Sequence, residues 1–133
     1  MATIRRELRV DRPADDVWAL VGDPARIHEW FPGMVASSVE GTTRTITTAS
    51  GFEMPEEILT IDAVQRRFRY RITSPIVQDH LGVIDVFDLG DRTSLVAYST
   101  DAEPDAMALM IGGATGAALA ELRDQLESHP RAR

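Results

Sequence analysis

The stretch PDAMALMIGGATGAALAELRDQLES, residues 104–128, decides the fold because it is the chain's candidate for a long helix. Three glycines, Gly112, Gly113 and Gly116, lie in its middle, and each glycine inside a helix costs about 1 kcal/mol relative to alanine. Something should compensate for this loss. Small residues either let a sheet approach the helix closely or leave an empty volume that a ligand can occupy.

Apolar residues recur in this segment at spacings of three and four, which places most of them on one helix face. The predicted inner face consists of Met107, Met110, Ile111, Ala114, Ala118, Leu122 and Leu126. Methionines stand at one end, leucines at the other, and the glycine segment between them is nearly bare. We therefore expect a sheet to close well at the leucine end and to leave a gap that Met107, Met110 and Gly113 face.

The rest of the chain alternates between polar and apolar residues in a series of predicted strands. The strands are expected at about residues 4–10, 34–41, 42–50, 54–62, 67–72, 79–89 and 93–101. Two short helices, at about residues 13–22 and 25–30, follow the first strand. Because consecutive strands joined by short turns form an antiparallel sheet, the predicted fold class is α+β. Its architecture is a curved antiparallel sheet of about seven strands wrapped around a long C-terminal helix.

Bulk properties exclude several classes of function. With 133 residues the chain suits one domain, residues 1–133, whose tail at 129–133 is expected to fray. Its net charge of −7 argues against binding to nucleic acid or to an anionic membrane. The lack of cysteine excludes disulfides and cysteine-based zinc sites and is compatible with a cytoplasmic location. The uncharged run at residues 106–120 is shorter than the roughly 20 residues of a membrane span.

Several segments resemble those of one superfamily. RPADDVW at residues 12–18 resembles the start of its first helix, and DPARIHEWFP at residues 23–32 resembles its second-helix segment. Its strand signatures are matched by Gly41–Arg44, by Glu56 followed by Asp62, and by Phe68–Arg71. The chain thus resembles, over essentially its whole length, the helix-grip fold of the SRPBCC, or START-like, superfamily, and within it the polyketide cyclase/dehydrase branch. This resemblance implies an internal cavity with its entrance near Trp30 and Phe31.

Three positions depart from the pattern of that branch. Glu57 stands where an arginine often follows the glutamate, His80 where a tyrosine is common, and Tyr98 where a tryptophan is common. The resemblance implies that these three side chains point toward the cavity.

No phosphate-binding loop, metal-spaced cluster or nucleophile motif is present in the sequence, so no cofactor and no metal are predicted. Any chemistry would come from a polar cluster in the cavity. Either Glu56 or Glu57 must face inward, where its carboxylate needs a partner such as Arg44 or His80. An inward glutamate with Tyr70 and His80 is a candidate catalytic set that moves protons on a polyketide-like or phenolic ligand.

The register of the strand at residues 79–89 stays open at this point. In the register that the resemblance implies, the inward residues are His80, Gly82, Ile84 and Val86. Hydrophobicity favours the opposite register, with Leu81, Val83, Asp85, Phe87 and Leu89 inward. His80 could serve as an acid or base near neutral pH only in the first register.

Three functions follow from these observations. The first is binding of a small hydrophobic or aromatic ligand, lipid- or polyketide-like, in the internal cavity. Its candidate lining residues are Trp30, Phe31, Tyr70, His80, Tyr98, Met107, Met110 and Gly113. The second is a cyclase, aromatase or dehydratase without metal or cofactor, using Glu56, Tyr70 and His80. The third is an interaction protein without a ligand, a homodimer formed through whichever apolar face of residues 81–89 is left outside.

Overall fold

Seven strands form one antiparallel sheet in the computed structural model, which describes residues 1–128. The tail at 129–133 that was expected to fray lies outside the described residues. In sequence order the strands are β1 (Ala2–Val10), β2 (Met34–Glu40), β3 (Thr43–Thr48), β4 (Glu53–Asp62), β5 (Arg67–Ile72), β6 (Asp79–Gly90) and β7 (Thr93–Glu103). The order across the sheet is β1-β7-β6-β5-β4-β3-β2. The helices are α1 (Ala14–Val21), α2 (Ile27–Trp30) and α3 (Asp105–Ser128). The predicted α+β helix-grip fold is confirmed.

Local sequence sets the boundaries of these elements. Pro13 was predicted to be the first residue of α1. Instead it has an extended ψ of 147° and immediately precedes the helix, which begins at Ala14. Asp23 accepts a hydrogen bond from the Ala25 amide at 3.1 Å and begins a 3₁₀ turn, Pro24–Arg26, that leads into α2. Gly90, with φ of 81°, takes the left-handed conformation that the turn between β6 and β7 requires. These short helices bring Trp30 against Tyr98 of β7.

Helix α3 packs on β1 and β7 with a face that overlaps the predicted one, since Ala118 and Leu122 are buried and Met107, Ile111 and Leu126 pack against the core. Its buried residues are Ala108, Gly112, Thr115, Ala118, Leu119 and Leu122. The prediction was wrong for Met110, which is 67% exposed, and for Ala114, which is also exposed. Thr115 takes an inner position without leaving its hydroxyl unpaired, because the hydroxyl donates to the Gly112 carbonyl oxygen at 3.1 Å. The small residues of this segment made its apolar face ambiguous.

The glycine segment serves close packing against β1. A Cβ atom at Gly112 would lie 2.5 Å from Cγ2 of Ile4, so the glycine allows the helix backbone to approach the strand. The Arg6 Nε donates to the Gly112 carbonyl oxygen at 3.1 Å, and its aliphatic stem lies beside Gly116. A Cβ atom at Gly113 would meet open space. Of the two explanations for the glycines, close approach therefore holds at Gly112, and Gly113 faces away from the interior.

By length and composition alone, α3 is apolar enough to cross a membrane. In this fold its buried face, which includes Leu119 and Leu122, packs against the sheet, so α3 is the core helix of the domain.

The register of β6 follows the resemblance and not the hydrophobicity. His80, Gly82, Ile84 and Val86 face inward and are buried. On the outer face, Phe87 and Leu89 are 48% and 49% exposed. Val83 lies on the same outer face and is buried. The outer face of β6 therefore carries apolar residues of both kinds, buried and exposed.

Candidate functional site

Five buried polar side chains lie together on the inner face of the sheet, each contributed by a different strand. We call them the polar cluster: Arg44, Glu56, Tyr70, His80 and Tyr98, from β3, β4, β5, β6 and β7. Arg44 lies directly opposite Glu56 across the β3–β4 pair, and Tyr70 lies opposite Gly82 across the β5–β6 pair. Antiparallel register alone thus brings together residues that lie more than fifty positions apart in sequence (Arg44 and Tyr98).

Arg44 and Glu56 form a buried ion pair. The Nη2 and Nε atoms of Arg44 lie 2.6 and 2.8 Å from Oε1 of Glu56. The guanidinium carbon also lies 5.1 Å from the ring centre of Phe68 and 5.0 Å from that of Tyr70. Burial raises the pKa of Glu56 above its ordinary value, although Arg44 opposes this shift. Since the two charges cancel, the polar cluster carries no net charge from this pair.

The hydroxyl groups of Tyr70 and Tyr98 are in direct hydrogen-bond contact. Burial raises the pKa of both phenols above the ordinary value, so both are neutral at physiological pH. Gly82 makes this arrangement possible, because a Cβ atom there would lie 2.5 Å from Cε1 and Cζ of Tyr70. The glycine gives the Tyr70 ring room to lie across the sheet toward Tyr98.

His80 is fully buried and is fixed as one tautomer. Its Nδ1 accepts a hydrogen bond from the Ile72 amide at 2.9 Å, so the proton of the neutral imidazole is on Nε2. Burial, followed by the nearby positive charge of Arg71, lowers the pKa of His80 to about 4. At neutral pH the side chain therefore offers an N–H donor, while its lone pair is occupied by the backbone. This geometry does not suit a general base, which was one of the two roles, acid or base, considered for an inward His80.

Aromatic side chains enclose the polar cluster on the α2 side. The ring centre of Tyr98 lies 6.3 Å from that of Trp30 and 6.5 Å from that of Phe31. Trp30 is 2% exposed and Phe31 is 8% exposed. Both residues also border a surface groove of about 250 Å³, whose lining includes Met34 and Glu121. Trp30 and Phe31 thus line this groove and also pack against Tyr98 of the polar cluster.

Several buried polar atoms of the protein have no hydrogen-bond partner within residues 1–128. They are Trp30 Nε1, His80 Nε2, Ser94 Oγ and Thr100 Oγ1. Leaving a buried donor or acceptor unpaired costs about 1–3 kcal/mol each. Ser94 and Thr100 did not emerge from the sequence as site residues. Their signal was the period-two alternation of β7, which places them on the same inner face as Tyr98.

The predicted lining residues do not all come together. Tyr70, His80 and Tyr98 are in mutual contact through His80–Tyr70 and Tyr70–Tyr98, with ring centres 5.4 and 6.5 Å apart. Met107 is half-buried against the core. Met110 and Gly113 lie on the solvent side of α3, away from the sheet, because the helix is rotated to place Gly112 and Thr115 inward.

The inner face is filled by side chains of the protein itself. Trp30, Phe68 and Tyr98 are each 2% exposed or less. A ligand between sheet and helix must therefore displace side chains as it enters. Within the described part of the chain, no group of three His, Asp or Glu side chains is placed to hold a metal ion.

Comparisons with known proteins agree with this geometry. The family model described as polyketide cyclase/dehydrase and lipid transport matches residues 1–127. No curated protein matches the sequence significantly.

Three solved structures illustrate the breadth of the fold. The protein XoxI from Bacillus cereus is 23% identical, with a TM-score of 0.89 over 97% of this chain and 100% of that one. Norcoclaurine synthase from Thalictrum flavum, in complex with dopamine and hydroxybenzaldehyde, is 19% identical, with a TM-score of 0.76 over 98% of this chain and 89% of that one. The two-domain aromatase/cyclase BexL of the BE-7585A biosynthetic pathway is 22% identical, with a TM-score of 0.79, and this chain covers 48% of it.

Proposed function

Because the chain belongs to the polyketide cyclase/dehydrase and lipid transport family, we propose that it binds a small hydrophobic or aromatic molecule between the inner face of its sheet and α3. One observation carries this proposal. The aromatic interior around Trp30 and Tyr98 contains buried hydrogen-bonding atoms that the protein leaves unpaired. A ligand with an aromatic body and a polar group would satisfy both features at once.

The route into the interior begins at the groove beside Trp30 and Phe31. Half-buried apolar side chains also pack against the core, and three of them are methionines: Met34, Met54 and Met107. Methionine is flexible and adapts to irregular spaces, so these side chains can move to admit a ligand at a small cost. Met34 borders the groove itself. The filled interior is therefore compatible with a ligand that enters by displacing methionines.

Norcoclaurine synthase offers a parallel for the size of the ligand, since its structure holds two single-ring aromatic molecules in the same fold. We expect aromatic ligands of one to three rings, polyketide-like in character, to bind better than long-chain lipids.

The direct test is native mass spectrometry of the purified protein, combined with organic extraction and a panel of aromatics and lipids. A fluorescence titration of Trp18→Phe protein, in which Trp30 is the remaining indole, reports on the site itself. Binding should change the emission of Trp30 in a saturable way. If no member of the panel binds and the emission of Trp30 stays constant, the proposed function is wrong.

A matched pair of variants shows whether the ligand lies on the inner face. Thr100→Val removes a buried hydroxyl that has no protein partner, and Thr3→Val makes the same change at an exposed position of β1. A ligand that hydrogen-bonds to Thr100 should bind about three- to tenfold more weakly to Thr100→Val. Affinity for Thr3→Val should equal that of the wild type.

The contact between the Tyr70 and Tyr98 hydroxyls favours a second candidate, a cyclase, aromatase or dehydratase without metal or cofactor. Two neutral phenols that share a hydrogen bond can deliver a proton to an enolate or alkoxide as it forms. Tyr70→Phe and Tyr98→Phe should then abolish turnover of a polyketone while keeping its binding. Turnover that survives both changes would leave binding as the function.

We also expect a cytoplasmic location.

The third candidate function is an interaction protein without a ligand, a homodimer formed through the exposed Phe87 and Leu89 of β6. Light scattering of wild-type and Phe87→Lys protein shows whether such a dimer forms and whether it depends on Phe87. A dimer that becomes a monomer in the variant would support an interaction through this face.

A further inference from the structure

The unpaired groups around the polar cluster differ in kind, and the difference bears on the ligand. The indole Nε1 of Trp30 is a donor and cannot accept a hydrogen bond. The Nε2 of His80 is also a donor, because the Ile72 amide donates to Nδ1 and so fixes the proton on Nε2. Both atoms are fully buried and have no partner within residues 1–128. The hydroxyl of Thr100 can donate or accept, so it fits either kind of ligand group.

These donors stand at opposite ends of a row of rings. Trp30 contacts Tyr98, Tyr98 contacts Tyr70, and Tyr70 contacts His80, with consecutive ring centres 6.3, 6.5 and 5.4 Å apart. The two tyrosine hydroxyls between them are already paired with each other. The demand for acceptors is therefore concentrated at Trp30 and His80.

The charge of this region is balanced without a ligand. Arg44 is paired with Glu56 at 2.6 Å, both tyrosines are neutral, and His80 is neutral. An ionised ligand would bring an uncompensated charge into a buried site, which is strongly unfavourable. An ammonium group would in addition place further N–H donors against N–H donors.

We propose that the ligand of this site is a neutral molecule that presents carbonyl or ether oxygens, as hydrogen-bond acceptors, to Trp30 Nε1 and His80 Nε2. This inference rests on the proposed binding function and adds the polarity of the ligand to it. Trp30 and His80 are then specificity-determining residues that favour ketones over amines and carboxylates.

Four naphthalene derivatives substituted at the same ring position test this inference: ethylnaphthalene, acetylnaphthalene, naphthylethylamine and naphthoate. Acetylnaphthalene should bind about three- to tenfold more tightly than ethylnaphthalene, which has the same shape without an acceptor. The amine and the carboxylate should bind about tenfold or more weakly than the ketone. Equal affinities for the ethyl and acetyl compounds, or tightest binding of the amine, would overturn the inference while the binding function stands. Binding of none of the four would overturn both.

Two variants locate the effect. Trp30→Phe removes the indole donor, and His80→Asn keeps an acceptor for the Ile72 amide but removes the Nε2 donor. Because acetylnaphthalene has one carbonyl and the two donors lie at opposite ends of the row of rings, its preference over ethylnaphthalene should fall toward one in the variant that loses the donor it uses and stay near the wild-type value in the other. Trp18→Phe, which removes an indole outside the polar cluster, should keep the wild-type preference. An unchanged preference in both cluster variants would contradict the assignment.

A measurement on the wild-type protein avoids any loss of folding in the variants. The indole N–H proton resonance of Trp30 should move downfield on addition of acetylnaphthalene and much less on addition of ethylnaphthalene. The indole resonance of Trp18 serves as an internal control. Identical shifts of the Trp30 resonance with both compounds would show that its donor does not select the ligand.

Discussion

Adjacent glycines in α3 have opposite roles, and this can be measured. Alanine gains about 1 kcal/mol of helix propensity over glycine at either position. Gly113→Ala should therefore stabilise the protein by about 0.5–1 kcal/mol, because a Cβ atom there meets open space. Gly112→Ala should destabilise it, because the new methyl group would lie 2.5 Å from Cγ2 of Ile4. Urea unfolding of both variants gives the comparison.

The difference between the two free energies of unfolding isolates the contact with β1, since the gain in helix propensity is common to both. We expect this difference to be about 1–3 kcal/mol, the usual cost of overpacking a core. Equal effects of the two substitutions would mean that Ile4 can move aside and that the helix does not need its close approach.

Gly82 leaves room for the Tyr70 ring, so the effect on stability of substituting Gly82 should depend on the presence of that ring. In Gly82→Ala the added Cβ atom would lie 2.5 Å from Cζ of Tyr70. The ring is enclosed by Phe68 and His80, so we expect a loss of about 1–3 kcal/mol of stability. In a Tyr70→Leu background the same change should cost much less. A double-mutant cycle with no coupling energy would contradict this account.

At the scale of elements, the two edge strands differ in how they resist pairing with other chains. β1 carries the exposed charged residues Arg5, Glu7 and Arg9. β2 has no charged residue before Glu40, and its Val35 is 58% exposed. Charged side chains protect a sheet edge against pairing with another strand. β2 is therefore the edge at which unwanted association should begin.

Ser38→Lys, in the middle of β2, should reduce self-association at high protein concentration or on heating. Thr3→Lys in β1 is the matched control and should have little effect, because that edge is already charged. Turbidity and light scattering against temperature provide the measurement. Equal behaviour of the two variants would remove β2 as the vulnerable edge.

The sequence predicted the strands to within a few residues, because glycines such as Gly41, Gly51 and Gly90 mark the turns between them. It predicted the buried face of α3 only in part, since alanines and glycines give a weak contrast between faces: Leu122 is buried as predicted, whereas Met110 is exposed. The register of β6 was undecided for a similar reason, as both of its faces are rich in apolar residues. Arg44 was one of the two partners that the sequence offered for an inward glutamate, and it is the one that pairs with Glu56. The tautomer of His80 could not be predicted from the sequence, because it depends on a hydrogen bond from the Ile72 amide on the neighbouring strand.

At the scale of the whole molecule, two groups in the polar cluster link stability to pH with opposite signs. Burial lowers the pKa of His80 from 6.5 to about 4 in the folded state. Between these values the unfolded chain binds a proton that the folded protein does not, so stability falls as the pH falls. Glu56 has a raised pKa in the folded state, so its contribution favours folding as the pH falls and is lost as the pH rises.

Replacing each group should therefore change the slope of stability against pH in opposite directions. His80→Asn should flatten the decline between pH 6.5 and about 4, where His80 costs the wild type up to about 3 kcal/mol. Glu56→Gln should lower stability at every pH, because it leaves Arg44 buried without its counter-charge, and it should make the decline steeper. Urea unfolding at several pH values from 7 to about 4 measures these slopes relative to the wild type. A His80→Asn variant with the wild-type slope would mean that His80 becomes protonated inside the folded protein, and the interior would then have to be open to water.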